Sequence, residues 1–406
     1  MNENSFSENK KPSENKSAVG KNNATEKLVV ALLIPSLCYG GAERQVVEVA
    51  RNLDRSRFET HIILLEDYMP ILPEDDELRR FVHVIEKHGK FDVSVVWRLA
   101  ALFKKLNVQV VHSFLFFSEI ATRLAATMVG IRPRIGSERN TQYKMAKFRY
   151  VFLQATIGLA DLIVANSTAG AKFHSNLYKL PASRYRVVHN GVDIARFRVR
   201  DRDECKKNLG LDETALIIGM FASFKKQKNH IELFRAMQPV VKKFPQVRLL
   251  LVGDTLLNDF GDTVEYKAEV KRVQHECGLD DTVIVLGNRT DVELIYSACD
   301  FTVLPSLHEG TPNVVLESMA CGVAALVTDV SDNAMLVTDG QDGLVVAAND
   351  TNALQQKLEM LCGDAVLRAL LGRGARVTAE SRLSTQVMSE NMARVYQNAF
   401  DEFGRR

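Results

Sequence analysis

The chain has 406 residues, of which 46% are hydrophobic and 25% charged, and its formal net charge is +2. That length exceeds one ordinary core and points to two domains of about 150–200 residues each. The near-neutral balance argues against nucleic acid as the main partner, and no run reaches the roughly 18 apolar residues of a membrane span.

Residues 1–26 are polar and repetitive in Ser, Asn, Lys and Glu. They lack the apolar stretch of a signal peptide and read as a disordered tail. Apolar runs then follow at 27–36, 61–66, 108–113, 133–138, 161–167 and 185–191, with amphipathic helical patterns at 42–53 and 93–106. Strands alternating with helices predict a parallel, doubly wound α/β sheet. Near 192–212 the sequence turns charged and loses its strand runs. The alternation restarts at 215–223, 247–253, 282–287, 300–306, 323–329 and 343–347.

The expected layout is therefore a first Rossmann-like domain over 27–195, a linker over 196–212 and a second Rossmann-like domain over 213–375. A helical segment, 376–406, is expected to pack back on the first domain. Ligands of such sheets bind beyond the carboxyl ends of strands, here in a cleft between the domains. Six cysteines lie scattered with no CxxC pair, which leaves no structural zinc pattern and fits a reducing cytoplasm.

The segment HEGTPNVVLE (308–317) carries Glu309 and Glu317 eight positions apart, just past the strand pattern DFTVLPS. Thr311 suits an N-cap and Pro312 a first helical residue, and Gly322 suits the stop. Glu309 then lies on the loop before a helix mouth and Glu317 inside the helix, about 10 Å away at 1.5 Å per residue. Gly310, Thr311, Pro312 and Asn313 form the expected donor-binding stretch, where the 312–314 amides and the positive dipole end suit a diphosphate. Carboxylates on either side suit sugar hydroxyls, because they only accept hydrogen bonds. A nucleotide-sugar has that layout. The same glutamates would also steady a helix start through its dipole with no ligand at all.

HEGTPNVVLESMACGVAALVTD resembles the signature segment of the retaining glycosyltransferases of family 4, which share the GT-B fold. Residues 28–375 carry further motifs in matching order: GGAERQ, VVHSFLF, GSERNT, VANS, VVHNGVD, KKQKNH, LLLVGD and CDFTVLPS. The resemblance implies two Rossmann-like domains facing a central cleft. It implies a nucleoside-diphosphate sugar donor, a glycan or lipid-linked acceptor, no cofactor and no metal. Glu309 would orient the donor sugar and Glu317 the ribose. Gly40 and Gly41 would line the cleft near the diphosphate and acceptor, and His112 would face the donor sugar. Glu138 and Arg139 would touch the acceptor or pair with each other, and Lys228 would neutralise the leaving diphosphate.

The chain departs from the family pattern at two places. Ser223 stands where an arginine is usual, leaving Lys225 or Lys226 as substitutes. Ser331, Asp332 and Met335 stand where a glycine pair and a glutamate are usual. DRD (201–203) has the letters of a metal-binding motif but falls in the expected linker. The apolar helix within 143–167, with Lys144, Lys147 and Arg149 near its start, suits either a plain amphipathic surface or peripheral contact with the inner face of a membrane. The expected activity is retaining hexosyl transfer. The rival readings are a GT-B nucleotide-sugar epimerase and a degenerate nucleotide-sugar-binding protein.

Overall fold

The computed structural model describes residues 27–89, 92–139, 147–255 and 262–404. The expected tail and Lys144 lie outside them.

The first domain runs β1 (Leu28–Ile34), α1 (Gly41–Asn52), β2 (Phe58–Leu64), β3 (Val82–Val84), α2 (Ser94–Lys105), β4 (Val110–Ser113), α3 (Phe116–Met128), β5 (Arg134–Glu138), α4 (Lys147–Thr156), β6 (Leu162–Ala165), α5 (Thr168–Tyr178) and β7 (Tyr185–Val187). The strands form one parallel sheet in the order β3-β2-β1-β4-β5-β6-β7. Helices cover both faces, so β1 is apolar without alternation and almost wholly buried. The short edge strand β3 was not foreseen. It is half-buried and only three residues long, too short to show a pattern of its own.

The second domain runs α6 (Arg202–Asn208), β8 (Leu216–Phe221), α7 (His230–Lys243), β9 (Val247–Val252), α8 (Asp262–Glu276), β10 (Val283–Gly287), α9 (Val292–Ala298), β11 (Phe301–Leu304), α10 (Asn313–Ala320), β12 (Ala325–Thr328), α11 (Asn333–Leu336), β13 (Gly343–Val346), α12 (Thr351–Gly363) and α13 (Ala365–Arg382). Its parallel sheet has the order β10-β9-β8-β11-β12-β13. In each sheet the strand order reverses once, beside β1 and β4 in the first and beside β8 and β11 in the second. The loops leaving those strands are where a doubly wound sheet opens a crevice. They carry Gly40 and Gly41, Ser223 to Lys228, and Leu307 to Pro312.

The segment 196–212, read as a linker, holds α6 and belongs physically to the second domain. Asp201 accepts the Glu204 N–H at 2.9 Å and caps this helix, so the DRD letters mark a helix start. Arg202 reaches Asp300 at 3.0 Å, and the buried Lys206 ammonium donates to the Ala215 carbonyl at 2.8 Å.

The chain crosses between domains twice, side by side. Val192 N–H donates to the Leu383 carbonyl at 2.8 Å, and Thr385 N–H to the Val192 carbonyl at 3.0 Å. Beyond this crossing, α14 (Thr385–Ala399) places Met388, Met392, Ala393 and Tyr396 in the first domain's core. By contrast, α13 stays with the second domain through Leu371, Ala375 and Ala379.

Candidate active site in the interdomain cleft

The β11–α10 segment builds the second-domain wall. Glu309 is buried, and its Oε1 accepts from Lys228 Nζ at 2.6 Å and from Ser306 Oγ at 2.6 Å. Lys228 ends a short turn, Lys226–Lys228, just after β8. Gln227 ties that turn to the same loop by donating to the His308 carbonyl at 2.6 Å. The Ser331 hydroxyl donates to the Glu309 carbonyl at 2.5 Å and accepts from the Glu309 N–H at 3.1 Å, although Ser331 itself sits at φ 53°. The family's usual glycine would adopt that backbone more easily. The serine offsets the strain with two bonds that fix the loop carrying Glu309.

Glu317 lies one face further along α10. Tyr296 donates to its Oε2 at 2.9 Å, and Arg44 of the first domain reaches Oε1 at 3.4 Å. Burial raises the Glu317 carboxyl above its usual range, opposed chiefly by Arg44. Tyr296 in turn stacks on Phe221 with ring centroids 3.6 Å apart.

Thr311 does not cap α10. Its hydroxyl donates to the Asn166 carbonyl across the cleft, and Pro312 takes the N-cap position. Since Pro312 has no N–H, the donors at the helix mouth are the amides of Asn313 and Val314. Gly310 and Gly41 both sit where the domains meet. A Cβ on Gly310 would lie 2.8 Å from the Arg139 carbonyl, and one on Gly41 would lie 3.4 Å from Asn313 Nδ2. Gly40 precedes α1 and leaves room for Glu43, whose carboxylate a Cβ there would strike.

The first-domain wall is made of residues from several strand ends. Asn190 Nδ2 donates to Asn313 Oδ1 at 2.7 Å and to the Thr311 carbonyl at 3.3 Å. Asn166 Nδ2 donates to the Arg139 carbonyl at 3.3 Å, and Arg139 Nη1 donates to Asn190 Oδ1 at 3.2 Å. Asp332, on the second domain, accepts the Thr168 and Ala169 amides at 2.6 and 2.9 Å and approaches His189 Nε2 at 2.9 Å. A carboxylate at the N-terminus of α5 is favourably placed for the dipole. Of the residue pair that departs from the family's glycines, Ser331 fixes the second-domain loop and Asp332 bridges the cleft.

Three cavities follow this wall. One of about 330 Å³ is lined by Gly40, Gly41, Arg44, Ser223, Lys228, Arg289, Tyr296 and Glu317. A second, of about 280 Å³, is lined by Gly41, Arg139, Asn166, Asn190, Lys228, Glu309, Thr311 and Pro312. The third, of about 450 Å³, extends outward past Arg44, Arg51, Arg196 and Arg289. Neither Lys225 nor Lys226 lines any of them. The cations that share a cavity with Ser223 are Arg44, Lys228 and Arg289. Arg44 stands in the GGAER motif, whose residue type was the available signal. Asn166 and Asn190 likewise stand in VANS and VVHNGVD. Arg289 had no motif to announce it, and Asp332 was marked only as a departure from the family's glycine pair.

His112 is corrected by the structure. It is wholly buried, with Nδ1 2.8 Å from the Tyr396 hydroxyl and Nε2 2.7 Å from Ser137 Oγ. Burial holds its pKa well below the usual imidazole range. Both ring nitrogens are engaged behind the cleft, so the side chain does not face a donor sugar. Glu138 also turns inward. Its Oε2 lies 3.2 Å from His174 Nε2, and burial, then the neighbouring Glu119, push its carboxyl well above the usual range. Glu138 and Arg139 do not pair. Of these three strand-end residues only Arg139 lines the cleft.

Among the described residues no group of three His, Cys, Asp or Glu side chains is arranged to hold a metal ion. No described helix is long and apolar enough to cross a membrane.

Two facing Rossmann-like domains with a signature helix at the cleft define a GT-B protein, and the comparisons agree. Residues 39–196 match the model described as Glycosyltransferase Family 4, and 201–378 match Glycosyl transferases group 1. Together the two models span most of the chain, and the chain belongs to the family 4 glycosyltransferases. It is 26% identical over 364 residues to the Escherichia coli UDP-Gal:alpha-D-GlcNAc-diphosphoundecaprenol alpha-1,3-galactosyltransferase, covering 85% of this chain and 90% of that one. It is 27% identical to the Campylobacter jejuni N-acetylgalactosamine-N,N'-diacetylbacillosaminyl-diphospho-undecaprenol 4-alpha-N-acetylgalactosaminyltransferase, covering 87% and 95%. The fold superposes on Anabaena HepE in complex with UDP at a TM-score of 0.76 and 20% identity, covering 91% of this chain and all of that one.

Proposed function

We propose that the chain transfers a sugar, with retention of anomeric configuration, from a nucleoside-diphosphate sugar to a hydroxyl of a glycan or lipid-linked acceptor. The observation that carries this reading is the Lys228–Glu309 pair, 2.6 Å apart, standing beside the open N-terminus of α10 in one cavity. In this reading Glu317 and Tyr296 take the ribose side, the Asn313 and Val314 amides meet the diphosphate, and Glu309 accepts from the donor sugar's hydroxyls. The UDP complex of HepE and the diphosphoundecaprenol acceptors named for the two relatives support the donor and acceptor classes.

The bond from the anomeric carbon to the diphosphate oxygen breaks, and its electron pair leaves with the phosphate. The acceptor oxygen bonds to the same face of that carbon, and its proton passes to the departing phosphate. Lys228 and the helix-mouth amides meet charge that grows only as this bond breaks, which is where stabilisation accelerates a reaction. Closure through Asp332, Asn190 and Gly310 excludes water that would otherwise hydrolyse the donor.

Peripheral membrane contact fits a face remote from these groups. Val93, Trp97, Val151 and Phe152 are exposed on α2, α4 and the turn before α2. Val93 and Phe152 line an apolar groove of about 270 Å³ together with Val96, Phe116, Phe117 and Leu124. Lys87 lies 3.9 Å over the Phe117 ring and Arg149 5.4 Å over Phe116, which sets cations beside apolar surface as anionic headgroups require.

The deciding experiment measures nucleoside diphosphate release from a nucleotide-sugar with and without a polyprenyl-diphosphate-sugar acceptor. Release that requires the acceptor, with the anomeric configuration retained in the product by NMR, supports transfer. Donor isomerised without acceptor would mean an epimerase, and binding without either reaction would mean a binding protein.

A further inference from the structure

Arg139 is a cation that the transfer scheme leaves unused. It follows β5 and lines the cavity shared by Glu309, Lys228, Asn166, Asn190 and Thr311. Among the described residues its guanidinium makes one hydrogen bond, Nη1 to the neutral Asn190, and the guanidinium carbon lies 4.9 Å over the Phe114 ring. Nε and Nη2 are buried and have no partner among the described residues. Asn166 Oδ1, of a residue lining the same cavity, is likewise buried without a partner among the described residues.

These two nitrogens form one edge of the guanidinium fork, and at three other arginines of this chain that edge holds a carboxylate. Arg289 grips Asp291 through Nε at 2.8 Å and Nη2 at 2.6 Å. Arg196 grips Glu293 through the same pair at 3.2 and 2.9 Å, and Arg132 grips Asp161 at 2.8 and 2.5 Å. Among the described residues no carboxylate does this for Arg139. Glu138 turns to His174, and Glu309 is held by Lys228 and Ser306. Burial alone pushes the Arg139 pKa down to about 10. A buried charge without a counter-ion is costly, and a bidentate oxyanion removes most of that cost.

Resting on the donor reading above, we infer that the substrate supplies this oxyanion, as the carboxylate of a hexuronic acid on the donor or as a phosphate on the acceptor. The cavity favours the first source. Arg139 and Glu309 line the same space, and Glu309 is the residue assigned to the transferred sugar. In that pose the carboxylate takes Arg139 Nε and Nη2, while Asn166 Oδ1 accepts from a sugar hydroxyl.

The test is calorimetric binding of UDP, GDP, ADP, UDP-glucose and UDP-glucuronic acid to the full chain and to its Arg139→Gln and Arg139→Lys variants. The native chain is expected to bind UDP-glucuronic acid at least about tenfold more tightly than UDP-glucose, the size of one charge-assisted contact. Arg139→Gln should abolish that preference and Arg139→Lys should keep part of it. UDP affinity should be the same in all three chains, which also shows that the variants fold. Suppose instead that the two sugars bind alike, and that Arg139→Gln raises KM about tenfold for a diphosphate-linked acceptor but not for one with a neutral aglycone. The oxyanion then belongs to the acceptor. If Arg139→Gln changes neither, the inference is wrong. If no nucleoside diphosphate binds the native chain, the donor reading fails, and this inference fails with it.

Discussion

The two faces of the cleft are built from different kinds of information. The second-domain face takes most of its polar groups from one stretch, Ser306 to Glu317, and one turn, Ser223 to Lys228. The first-domain face collects Gly41, Arg139, Asn166 and Asn190 from four separate strand ends. On the first of these faces the spacing of chemical groups follows from a loop and a helix, so local backbone sets it. On the other, neighbours come together only because β1, β4, β5, β6 and β7 lie side by side in one sheet. The contrast suggests a division of labour. Charge stabilisation belongs to the contiguous face, and closure and substrate discrimination belong to the assembled one.

Lys228→Ala should break the contiguous face most severely. It removes the cation facing the leaving group and strips Glu309 of its ion pair, so turnover should fall about 100-fold or more, near 2.7 kcal/mol. Donor affinity should fall less than turnover, since the charge grows in the transition state. Lys225→Ala, outside the cavities, is the control, and the reverse ranking of these two variants in steady-state kinetics would undo the assignment.

Glu317→Ala should act on binding instead. Losing a charge-assisted acceptor for ribose should cost about 1.5–3 kcal/mol of donor affinity. An unchanged donor dissociation constant by calorimetry would remove Glu317 from the ribose site.

Asp332→Asn sharpens the comparison from the assembled side. It weakens the contact that joins the second domain to α5, so donor affinity should fall about tenfold through loss of the closed state. X-ray scattering should show a larger radius of gyration for the free variant. The carboxyl also carries a pH signature. Burial raises its pKa, but His189 and the two amides outweigh this, and the folded value lies below the ordinary one. A depressed carboxylate contributes stability that is complete above the unfolded value, about 3.9, and that is lost as pH falls through the folded value. Native chain should therefore lose more stability than Asp332→Asn as pH drops below about 4, measured by denaturant melts. Equal losses would mean that the contact is absent in solution.

His112→Asn should affect the fold and spare the chemistry. Breaking its bonds with Tyr396 and Ser137 should cost about 1–3 kcal/mol of stability. Turnover below the melting range should stay within about threefold, a barrier change under 1 kcal/mol. A 100-fold loss of turnover with normal stability would return this histidine to the active site. The smallest expected effect is that of excess EDTA, which should leave the transfer rate unchanged. Loss of activity with rescue by magnesium or manganese would show that a metal takes part.

The sequence by itself determined the two doubly wound sheets, because fully buried strands must be apolar and must alternate with helices. It also determined the placement of Glu309 and Lys228 on the loops that leave two strands and of Glu317 on the helix after one of them, because each is tied to its strand by a short stretch of local backbone. Tertiary structure alone decided what crosses the cleft. His112 and Arg139 both lie at carboxyl ends of strands, and nothing local distinguishes them. The return of α14 covers His112 with Tyr396 and withdraws it from the cleft, while Arg139, one strand further along the sheet, meets Asn190 and stays in the cavity. Thr311 has the residue type of a helix cap, yet a carbonyl from the other domain takes its hydroxyl. Asp332 breaks a glycine pair in a loop and finds its amide partners 164 and 163 residues earlier in the chain. Propensity and spacing act over one or two turns of backbone, whereas a buried polar group takes whatever partner the packed fold brings within hydrogen-bonding reach.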